Sequence, residues 1–314
     1  MQSQMATASA RAYGCLCIRP RHTSSLSNLF NTVSTSSTVR YDTYVAIIKV
    51  ASKNGEVEAV IPQLHLVDAW LAEWGVSLNQ TRALYLLISE KLSDSHPQQS
   101  YEQLLKYLAT FDNADAAGLK TSKEHAIKAV KKAISIPEVL NFEDLAKLEA
   151  IKALKTEKIF TLVNIFLSDN LAAYQDFVKK NPDFCKKEGL NHEDNLHKIR
   201  LLSLASLAAS HVENEVAYST IAKALAIEDD EVEFWVIDVI RAGLVDAKMN
   251  QLKKTVVVSR STHRVFGKEQ WKFLGERLNG WRANLKEVLQ VIANAKLIAE
   301  AQTLEAEPTV ITNA

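Results

Sequence analysis

The residues best suited to chemistry are few in this chain, and their spacing decides against most of what they could do. His192, Glu193 and His197 have the composition of a zinc hydrolase site, in which two histidines four apart hold the metal and the glutamate acts as base. Here the second histidine stands at the fifth position. Five residues advance an α-helix by about 500°, so the two rings point roughly 140° apart and one helix does not bring both to a single ion. They read as surface histidines. Cys15 and Cys17 have no second cysteine pair to complete a zinc site. No two glycines have the spacing of a phosphate-binding loop ahead of a lysine. Trp70 and Trp74 could wall a pocket, but at i and i+4 on an apolar stripe they read as core. The expectation is a protein with no catalytic, cofactor-binding or metal site, which is not an enzyme and takes no cofactor.

Charge offers a second kind of function. Lys248, Lys253, Lys254, Arg260, His263, Arg264 and Lys268 form a basic stretch. Lys253, Lys254, Arg260 and Arg264 are a candidate RNA or ribosome contact, set against the plainer reading of a solvated edge that discourages strand pairing. Just ahead lies the opposite sign: Glu228, Asp229, Asp230, Glu231, Glu233 and Asp238, with Arg241 the one base. Phosphates are repelled by such a segment, so DNA is not an expected partner. The third feature is apolar. Trp271, Leu274, Leu278, Trp281, Leu285, Val288 and Ile292 are spaced 3, 4, 3, 4, 3, 4, an a/d seam suited to packing against another helix. It runs further than a small module covers, so its far end is expected to dock on a partner helix.

These features need elements to hold them. Tyr218, Ile221 and Leu225 give one face of a short helix. Asp229 and Asp230 offer N-cap oxygens to a second, whose apolar face is Val232, Val236, Val239 and Ile240. Gly243 then stands where a C′ glycine is favoured. Val245, Ala247 and Met249 alternate with polar residues as in a strand, Asn250 to Lys253 turn, and Thr255 to Ser259 is a β-branched second strand. Helix, helix and hairpin make a winged-helix module over residues 213–262.

Ahead of it the periodicity is helical throughout. Apolar stripes recur at Tyr44–Ile47–Ile48–Ala51, Leu64–Val67–Leu71–Trp74, Leu84–Leu87–Ile88, Tyr101–Leu104–Leu108–Phe111, Ile127–Val130–Ile134 and Ile159–Leu162–Val163–Phe166. Helix centres lie roughly twenty residues apart, the period of a solenoid of stacked helical pairs. Ser77 with Gln80, and Thr121 with Glu124, have capping-box spacing. Pro62, Pro97 and Pro137 fall between stripes. Asn191 to Ala209 becomes nearly all apolar, with Ser203, Ala205, Ser206, Ala208 and Ala209 small enough for close helix approach. It reads as the core helix joining the repeats to the winged helix.

Nine glycines and six prolines in 314 residues are few, which favours an all-helical body. Acids and bases balance at 37 each, which argues against a general nucleic-acid or membrane-surface binder. No segment reads as membrane-spanning. Three cysteines give no disulfide framework and suggest a reducing, cytoplasmic setting, in which the Asn79-Gln80-Thr81 sequon is unused. Residues 1–25 hold Arg11, Arg19 and Arg21 and no acid, the composition of a mitochondrial transit peptide, but with poor periodicity. They are expected to be a disordered or alternative start. The organisation expected is residues 1–25 divergent, 26–212 helical repeats, 213–262 winged helix, 263–300 a C-terminal helix and 301–314 a flexible tail. The fold class is all-α, a helical-repeat solenoid capped by a winged helix with a small β-hairpin wing and a long C-terminal helix.

The runs VAYSTIAKALAI, VIDVIRAGLVDAKM and TVVVS resemble the PCI domain, shared by scaffold subunits of the proteasome lid, the COP9 signalosome and a translation initiation factor. The resemblance implies subunits that assemble with one another. Where that family often has Ile-Asp-Gln, this chain has Met249-Asn250-Gln251, which removes a charge and any ion pair carried over with it. LSNLFNTVSTSSTVRYDTYVAIIKVAS, LNHEDNLHKIRLLSLASLA and TVVVSRSTHRVFGKEQW sharpen the likeness toward the M-subunit family of translation initiation factor 3, from Leu26 to Leu289. That likeness implies a non-catalytic scaffold that supports small-ribosomal-subunit and mRNA recruitment. Its partners would be the other PCI and MPN subunits of the factor and, through the complex, the small ribosomal subunit. A PCI subunit of the signalosome and an independent winged-helix RNA binder remain the alternatives. The likeness also implies further helical repeats ahead of the matching part, where this chain has residues 1–25. A truncated or alternative form, less stable or less able to reach N-terminal partners, is the expectation.

Overall fold

A computed structural model describes residues 24–112, 116–155, 157–212 and 214–305. Within it, one compact unit reaches to Arg264 and a second begins at Val265. The expectations for residues 1–23 and 306–314 lie outside the described residues. Residues 24 and 25, grouped with the divergent start, are helical.

The first unit is built of helices whose apolar stripes face inward. Helices α1 (Ser24–Thr32), α2 (Val39–Lys53) and α3 (Val67–Trp74) bring Phe30, Tyr44, Trp70 and Trp74 into one cluster of rings, with centroids 5.4 to 6.1 Å apart. All four are buried, so the tryptophan pair is core. Gly75 ends α3 with φ of +61°, a conformation that a side chain disfavours. Helix α4 (Leu78–Leu92) opens with a complete capping box: Ser77 Oγ accepts the Gln80 N–H, and Gln80 Oε1 accepts the Ser77 N–H. Pro97 occupies the first position of α5 (Pro97–Ala109), where a missing N–H leaves no bond unmade.

The second expected capping box is not a helix start. Helix α6 (Ala116–Ser135) already runs through Thr121 and Glu124, so the motif lies in a helix interior. The helices also lose the regular length that the spacing suggests. After α6 come α7 (Glu143–Lys147), α8 (Glu149–Lys152), α9 (Lys158–Leu167), α10 (Leu171–Lys180) and α11 (Phe184–Glu188), three of them only four or five residues long. These short turns still bury Leu145, Ala150, Ile151 and Cys185, so burial rather than propensity holds them.

Helix α12 (His192–Ser210) is shared by two cores. Ile199 and Leu202 belong to the large cluster that starts at Phe30, while Leu201, Leu204, Ala205 and Ala208 belong to a second cluster that ends at Val258. A helix buried on two sides must be apolar around most of its circumference, which explains the composition of its second half. The second core is closed by α13 (Tyr218–Leu225), α14 (Val232–Arg241) and a three-stranded antiparallel sheet of order β1-β3-β2. Strands β2 (Val245–Asn250) and β3 (Thr255–Ser261) form the wing, and β1 (Glu215–Ala217) adds a strand to the hairpin that the sequence shows, pairing Val216 with Val256. Asp229 and Asp230 do not cap α14. They lie in a 3-10 turn, Asp229–Glu231, and no side-chain cap bond forms at Glu228 or Glu231.

The second unit contains α15 (Lys268–Glu305), a single helix of 38 residues. It extends past residue 300 into the stretch read as tail.

Candidate functional site

The residues that invited a chemical reading are each engaged in packing. Asn191 caps α12 by accepting the Glu193 N–H at 3.1 Å. The His192 ring lies flat on Tyr174, with centroids 5.7 Å apart and Nδ1 3.1 Å from the tyrosine hydroxyl. His197 faces α14 instead, its ring 4.9 Å from Trp235 and its Nε2 3.6 Å from the Asp238 carboxylate. The two histidines thus serve different neighbours. Cys185 is buried, which pushes its thiol pKa up and away from nucleophile chemistry. Cys15 and Cys17 lie outside the described residues.

A residue that the sequence did not single out does more. Lys198, on α12, is only 3% exposed. Its Nζ donates to the carbonyls of Ala133, Ile134 and Ile136 at 2.6, 3.3 and 2.7 Å. Ala133 and Ile134 lie in the last turn of α6, whose carbonyls have no intrahelical donor, and a cation there also meets the negative end of the helix dipole. Burial lowers the pKa of this lysine from 10.5 to about 7. The contact ties the helical repeats to the helix that carries the second core.

The basic wing divides into free and committed cations. Lys253 and Lys254 are exposed on the turn between β2 and β3, and neither forms an ion pair among the described residues. Arg260 is exposed but pairs with Asp246 at 2.8 Å. Arg264 departs from the sequence reading. Its Nε donates to Leu202 O at 2.9 Å and its Nη1 to Asp169 O at 2.7 Å. Burial lowers its pKa to about 10. This guanidinium clamps the end of the first unit onto two backbone carbonyls and is not a free contact for RNA. The Asn250 side chain accepts the Lys253 N–H at 3.2 Å and closes the turn, a bond that an aspartate in its place would make equally well. Gln251 reaches Glu233 of α14 at 3.3 Å.

On α15, all seven residues of the expected seam, Trp271, Leu274, Leu278, Trp281, Leu285, Val288 and Ile292, are solvent-exposed, with Leu285 at 63%. Phe273, Leu289, Val291, Leu297 and Ile298 are exposed as well, which the a/d pattern does not capture. A single helix has no second surface of its own on which to bury such residues.

Two family models match this chain: one described as the PCI domain, over residues 178–260, and one described as eIF3 subunit M, C-terminal helix, over residues 264–292. A Dictyostelium discoideum protein named eukaryotic translation initiation factor 3 subunit M is 40% identical over 277 residues, covering 86% of this chain and 68% of the relative. The chain belongs to the family of eukaryotic translation initiation factor 3 subunit M.

Other subunit M relatives agree. One from Phaeosphaeria nodorum is 42% identical, over 86% of this chain and 62% of its own length, and the Homo sapiens one is 36% identical, over 84% and 69%. The chain therefore spans roughly two thirds of the length of these subunit M relatives. Their names place it with the initiation factor rather than with the signalosome. The PCI match takes in α12, the winged helix and most of the wing, and the subunit M helix match takes in the whole seam from Trp271 to Ile292.

Proposed function

We propose that this chain is a non-catalytic scaffold subunit of the translation initiation factor 3 complex, acting in the cytoplasm. It supports recruitment of the small ribosomal subunit and messenger RNA by holding other PCI and MPN subunits together. The observation that carries the reading is the exposed seam on α15, inside the segment matched by the subunit M helix model. Seven apolar side chains at heptad spacing are costly to leave in water and are suited to a partner helix. The engagement of His192, His197 and Cys185 in packing supports the non-catalytic part.

Affinity purification of the tagged chain from lysate near physiological salt, with mass spectrometry of what accompanies it, tests this. Initiation-factor subunits and small-subunit ribosomal proteins are the expected companions. Signalosome subunits, or only chaperones, would contradict it.

A ribosome or RNA contact through the wing is a second reading. It rests on Lys253 and Lys254, the exposed unpaired lysines of the turn, with Arg260 as a weaker contributor.

A further inference from the structure

The outward face of α14 is unlike the rest of the first unit. Among its described residues, exposed large apolar side chains are mostly scattered, as on any protein surface. Phe234, 59% exposed, and Ile237 are the exception within a helix: they stand three apart on one helical face. The Phe234 ring meets Trp235 in an edge-on pair, with centroids 6.2 Å apart and planes at 88°. Arg241 follows Ile237 by four and extends that face at its C-terminal end, and Asp230 stands in the 3-10 turn that leads into the helix.

The exposed charge leading into the helix is of one sign, while Arg200 and His197 of α12 lie against the Trp235 ring on its inner side. Glu228, Asp229, Asp230 and Glu231 are exposed at the start of the helix. Glu233 is partly buried and accepts from Tyr218 and Gln251. Asp238 lies beside His197 and Arg241, the latter at 3.8 Å. Arg241 is the single strong base of the helix, and it stands at its C-terminus.

We infer that this face of α14 is a docking surface for a basic, amphipathic segment of a partner protein. Phe234 and Ile237 supply the apolar contact, and the acids around Asp230 and Glu231 select Lys and Arg at its edge. Charge complementarity chooses the occupant. Nucleic acid is repelled by these carboxylates, and an acidic or neutral helix gains nothing from them. The surface is small, so it serves as a second, orienting contact whose strength multiplies with that of a first attachment in the same complex. The inference rests on the scaffold reading for its setting but not for its chemistry.

Replacing Phe234 with the photo-crosslinker p-benzoylphenylalanine in the tagged chain tests it. Subunit content is scored before irradiation, so failure to assemble, which sinks the scaffold reading, is seen separately. Crosslinks to a protein segment carrying Lys or Arg around apolar residues, with yield falling about tenfold in Asp230→Lys/Glu231→Lys, are expected. Crosslinks to an acidic segment or to RNA overturn the inference, as does no crosslink in an assembled sample or an unchanged yield after charge reversal. If the chain does not assemble, the purified protein is irradiated with two synthetic helices, one of Leu and Lys and one of Leu and Glu. Selective capture of the Leu/Lys helix supports the inference, and equal capture or none rejects it. The altered side chains are exposed, and an unchanged melting curve verifies that each variant folds.

Discussion

Trp74 on α3 is 1% exposed, and Trp281 on α15 is 58% exposed. Trp74 sits among Phe30, Tyr44 and Trp70, at ring distances of 5.9 to 6.0 Å, in a cluster assembled from three helices. Trp281 stands on a helix whose apolar residues meet water along its length. Residues 24–264 bury their apolar stripes against one another and use them to fold. The stripe on α15 has the same 3 and 4 spacing, but no other helix among the described residues of its own unit covers it. Equal patterning in the sequence is thus buried in one region and left exposed in the other.

The two tryptophans provide the largest contrast. Trp74→Ala should cost about 3–5 kcal/mol, because it empties a closed aromatic cluster. Trp281→Ala in the isolated chain should stay within about 0.5 kcal/mol, as surface substitutions do. Denaturant unfolding of both variants measures this, and a similar loss for the two would erase the distinction.

Lys198→Met should be next, at about 2 kcal/mol, since it removes a buried donor to three carbonyls. Its pH dependence has a definite sign. With a folded pKa of about 7 against 10.5, the unfolded chain binds more protons between those values, so wild-type stability rises with pH across that window. Below about pH 7 both states are protonated and the cost of burying the charge is fully present. The gap between wild type and Lys198→Met should therefore widen from pH 7 to pH 9. A gap that is constant or narrows would mean that the lysine remains charged in the fold.

Smaller effects separate the two arginines. Arg264→Ala should cost about 1–2 kcal/mol through the two carbonyls it leaves. Arg260→Ala, which breaks an exposed pair with Asp246, should cost less than about 1 kcal/mol. Unfolding midpoints rank them. Smallest of all, Lys253→Glu with Lys254→Glu should leave stability within about 0.5 kcal/mol and leave co-purifying subunits unchanged. Loss of partners, or of salt-dependent RNA affinity, would favour the wing as the binding surface.

Much of this fold was legible because its signals are local. The stripe Tyr44–Ile47–Ile48–Ala51 is buried in full, Ser77 and Gln80 form their box, and Gly243 takes φ of +70° after α14. The rest depends on residues distant in sequence. Strand β1 has three residues and one inward side chain, Val216, too few to show a period. Thr121 and Glu124 have the spacing of a helix start, but nothing local reveals that the helix began at Ala116. Lys198 finds its carbonyls 62 to 65 positions away, and Arg264 finds one of its own 95 positions away, so both look like surface charges in sequence. The seam was legible as a pattern. Its exposure, and the further apolar residues Phe273 and Val291, emerged only from the structure.

The claim that α15 is written for a partner is tested most directly by changing Leu278, Leu285 and Ile292 to Asp in the tagged chain, then comparing co-purified subunits and the unfolding midpoint with wild type. The account predicts that the other initiation-factor subunits are lost while the midpoint of the chain stays where it was. A variant that still assembles, or one whose own unfolding midpoint falls, would show that the seam serves internal packing and would contradict it.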